Sequence, residues 1–337
     1  MIKIAMDAFG GDNAPVAVVE GAVAALNRYD DISLILCGKE DAIQRELNKL
    51  AYPKERLTVV HAPEIIGCDE QPTVAVRRKK DSSLVRSLQM AADKEADAIV
   101  SAGSTGALLT GATLIVRRIK GVKRPALAPL LPTARGSWIM LIDCGANTDC
   151  KPSYLAQFSV MASAYMKHAM GLEKPRIALL NNGAEEGKGN ELTKAAYALL
   201  KEAPIRFAGN CEARNILSGD YDALVCDGFA GNVVLKYTEG LSATIMEMLK
   251  AELMADARSK LGAALARPAF RRFKKKMDYK EVGGAPLLGI DGCVIKAHGS
   301  SDAKAFASAV MQARNFVKSG VNGALEEALA ALPEMED

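Results

Sequence analysis

Residues 292–310 read GCVIKAHGSSDAKAFASAV. The stretch opens as a short apolar run, passes through His298-Gly299-Ser300-Ser301-Asp302, and closes in a helix-like pattern. A brief apolar run followed by small polar residues and helical spacing reads as a buried strand handing over to a helix. The same form recurs in IKIAMDA, SLILCG, LTVVHA, ADAIVSAG, SWIMLIDCG, RIALLNNG and ALVCDGF, with helix-like segments between them. Strands apolar on both faces that alternate with helices predict an α/β fold, a mostly parallel sheet flanked by helices. No repeat, low-complexity tract or Ser/Gly linker divides residues 1–337, so one α/β unit is expected, with two interlocked subdomains as the alternative.

A composition of 49% hydrophobic and 25% charged residues suits a globular protein with a sizeable core. No basic region followed by an apolar stretch opens the chain, and no run of about 18 apolar residues occurs, so a cytoplasmic protein without a membrane span is expected. Seven cysteines at 37, 68, 144, 150, 211, 226 and 293 form no CxxC pair; they read as reduced and mostly buried.

Six of the strand-like runs end in small and polar residues: 7–15, 101–107, 143–151, 181–191, 226–232 and 297–302. Ligands of α/β sheets bind outside the carboxyl ends of strands, where glycines admit close backbone approach and helix N-termini attract anions. The six loops are therefore expected to converge on one cleft. In SAGSTGA, Gly103, Ser104 and Thr105 form a phosphate cradle or, more plainly, a helix cap. GAEEGKGNE resembles a Walker A loop but has three residues between Gly183 and Gly187 and Gly189 after Lys188, so it predicts an anion-holding lysine rather than nucleotide hydrolysis. Neither a GxGxxG after the first strand nor a GxSxG is present, and Asp7, Asp12, Asp143, Asp149 and Asp227 show no ligand spacing. No cofactor and no metal are expected. Asp227 and Asn232 begin a long helical stretch where an amide can cap or face an oxyanion, with Lys236 one turn on. Of the three histidines, His61 and His168 read as structural or exposed, whereas His298 stands at a strand end where an imidazole suits proton transfer or hydrogen bonding.

Taken together, MDAFGGDNAP, SAGSTGALL, DCGANTDCKPSYLAQFSVMASAY, LLNNGAEEGKGNELTKAAYALL, CDGFAGNVVLK and KAHGSSDAKAF resemble, in order and over nearly the whole chain, the signature set of the PlsX phosphate acyltransferases. The resemblance implies a fold similar to isopropylmalate dehydrogenases and phosphate acetyltransferases, a homodimer, and transfer of an acyl group from acyl-acyl carrier protein to inorganic phosphate. It also implies an acyl phosphate product handed to a membrane glycerol-phosphate acyltransferase. Two departures stand out: Phe9 where the family commonly has Met, and Ser104 where it commonly has Asn. With the resemblance, the expected catalytic residues are His298, Lys188, Asp227 and Asn232. Gly10, Gly11, Asp12, Gly103, Ser104, Thr105, Asn147, Lys151, Asn190, Gly231, Ser300 and Ser301 are expected to bind substrate or phosphate.

From Arg258 to Lys280 there are nine Lys or Arg and one Asp, a charge of +8 in a chain of +3. Pro268 is expected to break this segment into two helices of a projecting hairpin, a helical protrusion over residues 240–282. Phe270, Arg271, Arg272, Phe273, Lys274, Lys275 and Lys276 combine apolar and basic character suited to an anionic membrane or an acidic carrier protein, and peripheral membrane association follows. Nucleic acid is not expected, because no stacking platform accompanies the charge. Two rival readings are an NAD-dependent dehydrogenase on a related fold and a membrane-associated lipid-binding scaffold.

Overall fold

All eight apolar runs are strands, but they divide between two sheets. The computed structural model describes residues 1–277 and 283–332, with the side chains of 274–277 excluded. The first sheet takes β1 (Ile2–Asp7), β2 (Ile32–Gly38), β3 (Leu57–His61), β4 (Ala98–Ser101) and β5 (Ala126–Leu127). The chain then crosses to a second sheet of β6 (Leu130–Pro132), β7 (Trp138–Ile142), β8 (Arg176–Asn181), β9 (Arg206–Glu212) and β10 (Ala223–Val225). It returns to the first with β11 (Ala285–Leu288) and β12 (Cys293–Lys296). The orders are β3-β2-β1-β4-β12-β11-β5 and β6-β7-β10-β8-β9. The pairs joining β3, β2, β1, β4 and β12, and those joining β7, β10, β8 and β9, are all parallel. β11 and β6 pair antiparallel with their neighbours.

The core explains the two-sided apolar strands. Ile4, Met6, Leu34, Leu36, Ile142, Leu179 and Ile295 are buried in one continuous cluster under flanking helices. Helix Ala303–Lys318 lies against helix Val16–Arg28 so closely that a Cβ on Gly21 would fall 2.5 Å from Phe306 Cβ. Phe306 is 1% exposed, worth roughly 1.5–3 kcal/mol of apolar burial, and it anchors the helix that follows His298.

The projecting arm differs from expectation. Helix Gly228–Leu253 turns at 254–256 into helix Ala257–Met277, and Pro268 lies inside that second helix instead of ending it. The break is set by Asp256, whose carboxylate accepts the backbone N–H groups of Arg258 (2.8 Å) and Ser259 (2.9 Å) as a cap. A proline removes one backbone donor, and a helix already running for eleven residues continues past it at a local cost. Residues 278–282 of the expected protrusion, and the side chains of Lys274, Lys275 and Lys276, lie outside the described residues. Among the described residues, no helix is long and apolar enough to cross a membrane.

Candidate active site

The polar end of the site forms where parallel strands of the first sheet finish side by side. Register sets Lys296 of β12 beside Ser101 of β4, and β4 pairs with β1, which ends at Asp7. Asp7 is buried; it accepts from Ser101 Oγ at 2.7 Å and from the Phe9 N–H at 3.3 Å. Burial pushes its carboxyl above the usual range, and these donors pull the other way. A Cβ at Gly10 would stand 2.5 Å from Asp7 Oδ2 and 2.6 Å from the Gly103 nitrogen, so this crossing of two loops requires glycine.

The β1 loop backs the HGSSD loop. Asp12 N–H donates to the Gly299 carbonyl at 2.8 Å, and the Asn13 amide donates to the carbonyls of Ser300 (3.3 Å) and Ser301 (3.1 Å). Within HGSSD, Nδ1 of His298 accepts the Ser300 N–H at 3.2 Å and lies 2.8 Å from Ser300 Oγ. This pattern assigns the proton of the neutral ring to Nε2, which lies 3.4 Å from Lys236 Nζ. Desolvation, followed by the nearby Lys236 ammonium, lowers the His298 pKa, so the ring is neutral at pH 7. Lys296 Nζ donates to the carbonyls of Ala102 (3.3 Å) and Ala297 (2.5 Å), and burial brings its pKa down to about 8. Ser301 is 2% exposed, yet its hydroxyl has no hydrogen-bond partner among the described residues.

The facing wall comes from the second sheet, where β7 and β10 end in register. Asp143 is buried, which raises its carboxyl pKa, and four donors hold it: the N–H groups of Leu127 (2.9 Å), Ala146 (3.2 Å) and Asn147 (2.6 Å) and the Asn147 side-chain amide (2.9 Å). The Asn147 carbonyl accepts the Gly228 N–H at 2.7 Å, tying this loop to the start of the long arm helix. A Cβ on Gly231 would lie 1.9 Å from the Asp143 carbonyl oxygen, so glycine there sets how close helix and loop come. Asp227 caps the helix by accepting the Ala230 N–H at 2.8 Å. Asn232 and Lys236 follow, one helical turn apart, with Lys236 held by Glu239 at 2.8 Å.

Between the walls runs a cleft of about 1410 Å³. Its polar end is lined by Thr105, Asn232, Lys236, Glu239, Lys296, His298, Ser300 and Ser301. Its remaining length is mostly apolar, from Leu130 and Leu131 to Met246, Leu249, Leu253 and Phe273 along the arm, with Lys250, Lys260 and Arg267 also on the lining. Four of the six expected loops thus reach the cleft. The 7–15 loop, with Gly10, Gly11 and Asp12, stands behind HGSSD. The 181–191 loop does not line the cleft: Lys188 is exposed, its N–H is bound to the Glu185 carbonyl, and its own carbonyl accepts from the Asn181 amide at 3.1 Å. This loop folds on itself, so Lys188 does not share the cleft with His298 as the convergence of six loops would require. Asn190 caps its own helix by accepting the Thr193 N–H at 2.9 Å, and Lys151 begins the helix Pro152–His168 away from the cleft. Gly103, Ser104, Asn147 and Gly231 support the walls; Ser104 Oγ accepts the Ala107 N–H at 3.4 Å as a cap. His61 and His168 are both exposed, and neither lines the cleft.

Sequence reasoning missed Lys296 and Glu239 and gave Lys236 no site role. The signals were spacing: Lys296 ends its strand two residues before His298, and Asn232, Lys236 and Glu239 recur on one helix face.

This architecture is shared with solved enzymes. A phosphotransacetylase from Staphylococcus aureus matches with a TM-score of 0.58 at 17% identity, over 98% of this chain and 94% of its own. A 4-hydroxythreonine-4-phosphate dehydrogenase from Klebsiella pneumoniae matches at 0.54 and 11%, over 94% and 99%. At such identities the likeness defines the fold.

Sequence comparison goes further. Residues 2–324 match the model of the family described as fatty acid synthesis protein, and the chain belongs to that family, the PlsX family its motifs resemble. The phosphate acyltransferase of Clostridium novyi is 52% identical over 320 residues, 95% of this chain and 96% of the relative. That of Alkaliphilus oremlandii is 50% identical over 335 residues, 99% of each. The chain is an enzyme, a phosphate acyltransferase.

Proposed function

We propose that this enzyme moves a fatty acyl group from acyl-acyl carrier protein to inorganic phosphate, giving an acyl phosphate for phospholipid synthesis. The observation that carries this reading is the two-part cleft: a mostly apolar channel suited to an alkyl chain opens onto a polar end with two lysines and a buried serine hydroxyl that has no partner among the described residues. Nε2–H of His298 and the Lys236 ammonium are both donors, 3.4 Å apart, and an anionic oxygen between them satisfies both. Lys236, Lys296, His298 and Ser301 hold phosphate, and one phosphate oxygen attacks the thioester carbonyl carbon. The Asn232 amide and Lys236 stabilise the tetrahedral oxyanion, which collapses with cleavage of the C–S bond and departure of the carrier thiolate. The tautomer of His298 supports a hydrogen-bond donor over a general base. Asp227 acts by fixing the helix that carries Asn232. Residues 1–337 act as one unit in this reading, because the cleft draws its walls from both sheets.

Two surfaces of the arm carry further roles. Phe229, Val233, Tyr237, Leu241, Ile245 and Met248 are exposed at helical spacing along Gly228–Leu253, a stripe suited to the same helix of a second copy in a homodimer. Phe270, Arg271, Arg272 and Phe273 on the second helix suit peripheral contact with an anionic membrane, close to an acyltransferase that consumes the product. Incubating the enzyme with acyl-carrier protein, with and without phosphate, tests the reaction. Phosphate-dependent loss of the acyl group supports the reading, and loss at the same rate without phosphate contradicts it.

A further inference from the structure

The cleft needs a place where a protein-borne thioester is delivered, and one basic surface lies outside the arm. Helix Pro72–Arg78 leans on the start of helix Thr105–Gly111: a Cβ at Gly106 would be 2.7 Å from Pro72 Cγ, and one at Gly111 would be 3.8 Å from both Val76 methyls. The two helices therefore run side by side in the same direction from the cleft end marked by Thr105, the second continuing as a π turn to Val116. Arg77, Arg78 and Lys80 from one strip of chain and Arg117 and Lys120 from the other are exposed at the far ends of these two helices. Among the described residues, none of these five side chains forms an ion pair. Three nearby carboxylates are already matched: Glu70 with Lys79 at 2.7 Å, Asp81 with Arg86 at 3.5 Å and Asp291 with Lys94 at 3.9 Å. Among the basic residues, Val74 is 40% and Leu114 is 50% exposed.

We infer that this face, Arg77, Arg78 and Lys80 with Arg117 and Lys120 around Val74 and Leu114, is the docking surface for the acidic acyl carrier protein. The inference rests on the carrier-dependent reaction proposed above. Charge complementarity selects the partner: five uncompensated cations face an acidic protein, and two isolated apolar side chains offer a small contact where a membrane would want a larger apolar surface. Position selects it too. Twelve residues from Thr105 to Val116 span about 18 Å, so the whole face lies within reach of a thioester on a flexible arm entering beside Thr105.

The test compares Arg77→Glu/Arg78→Glu and Arg117→Glu/Lys120→Glu with Arg271→Glu/Arg272→Glu on the arm. Fluorescence anisotropy reads binding of labelled holo-carrier protein, and steady-state assays read turnover of acyl-carrier protein and of acyl-pantetheine, which lacks the protein. The expected result is binding weakened and KM for acyl-carrier protein raised by at least about tenfold in the two face variants, with acyl-pantetheine turnover within about twofold of wild type. Unchanged carrier binding in both face variants overturns the inference, as does a loss confined to the arm variant. A face that instead loses binding to anionic vesicles while carrier binding stays intact belongs to a membrane, and also overturns it. If wild-type enzyme binds no carrier and needs no phosphate, the underlying reading fails first, a result separable from failure of the docking surface alone.

Discussion

Two strand-to-helix junctions of this enzyme look alike in sequence and behave differently in the fold. β8 runs into NNGAEEGKGNE and β12 into AHGSSD; both offer glycines, a polar cap residue and a nearby cation. The β12 junction sits beside β4 and β1, is buttressed by the β1 loop through Asp12 and Asn13, and faces the arm helix with Lys236. The β8 junction pairs with β10 and β9 and satisfies its polar groups internally through Asn181, Glu185 and Asn190. The same local chemistry becomes a site only where a second wall faces it.

The largest effect expected on this contrast is at His298. His298→Ala should lower kcat/KM by about 100-fold with little change in melting temperature, a loss in the range for removing one positioned hydrogen-bond donor. Lys296 comes next. Its charged form exists below its pKa of about 8 and is lost above it, so KM for phosphate should rise as pH passes through about 8. Lys296→Arg should move that alkaline limb upward, whereas Lys296→Ala should raise KM for phosphate by about tenfold at pH 7 through loss of one charge-assisted contact. A wild-type KM flat from pH 7 to 9.5 would separate Lys296 from phosphate. On the β8 side, Asn190→Ala should cost about 1 kcal/mol of stability in denaturant unfolding through loss of the helix cap, with kcat unchanged. The smallest effect belongs to Lys188→Ala, whose KM for phosphate should stay within about twofold of wild type, because an exposed lysine outside the cleft contributes at most screened charge. A tenfold rise there would return the β8 loop to the site and dissolve the contrast.

Much of this fold was legible because buried parallel strands announce themselves as short two-sided apolar runs. The division into two sheets was not. The crossing happens in PALAPLLP, where β5 and β6 are two and three residues long and prolines interrupt any periodic signal. His298, Asn232, Thr105, Ser300 and Ser301, which line the cleft, stand out in sequence by their place at strand ends and helix starts. Lys236 and Lys296 were obscured for opposite reasons: one looks like an ordinary solvated helix residue, the other like the polar tail of a strand. Lys188 misled because a glycine-flanked lysine carries the local signature of anion binding, and only tertiary neighbours decide whether an anion can reach it. Pro268 misled in the same way, since a breaker residue in sequence yields to a helix already nucleated and capped at Asp256.

In the proposed reaction the β12 wall and the arm helix together transfer an acyl group to phosphate. Its most direct measurement is formation of acyl phosphate from acyl-carrier protein and isotopically labelled phosphate, in wild type and in Lys296→Ala/His298→Ala. Wild type should incorporate label into acyl phosphate in proportion to phosphate until saturation, and the folded double variant should fall by at least about 100-fold. Label incorporation at the wild-type rate by the double variant, or none by wild type while the acyl group is still lost, would contradict the account.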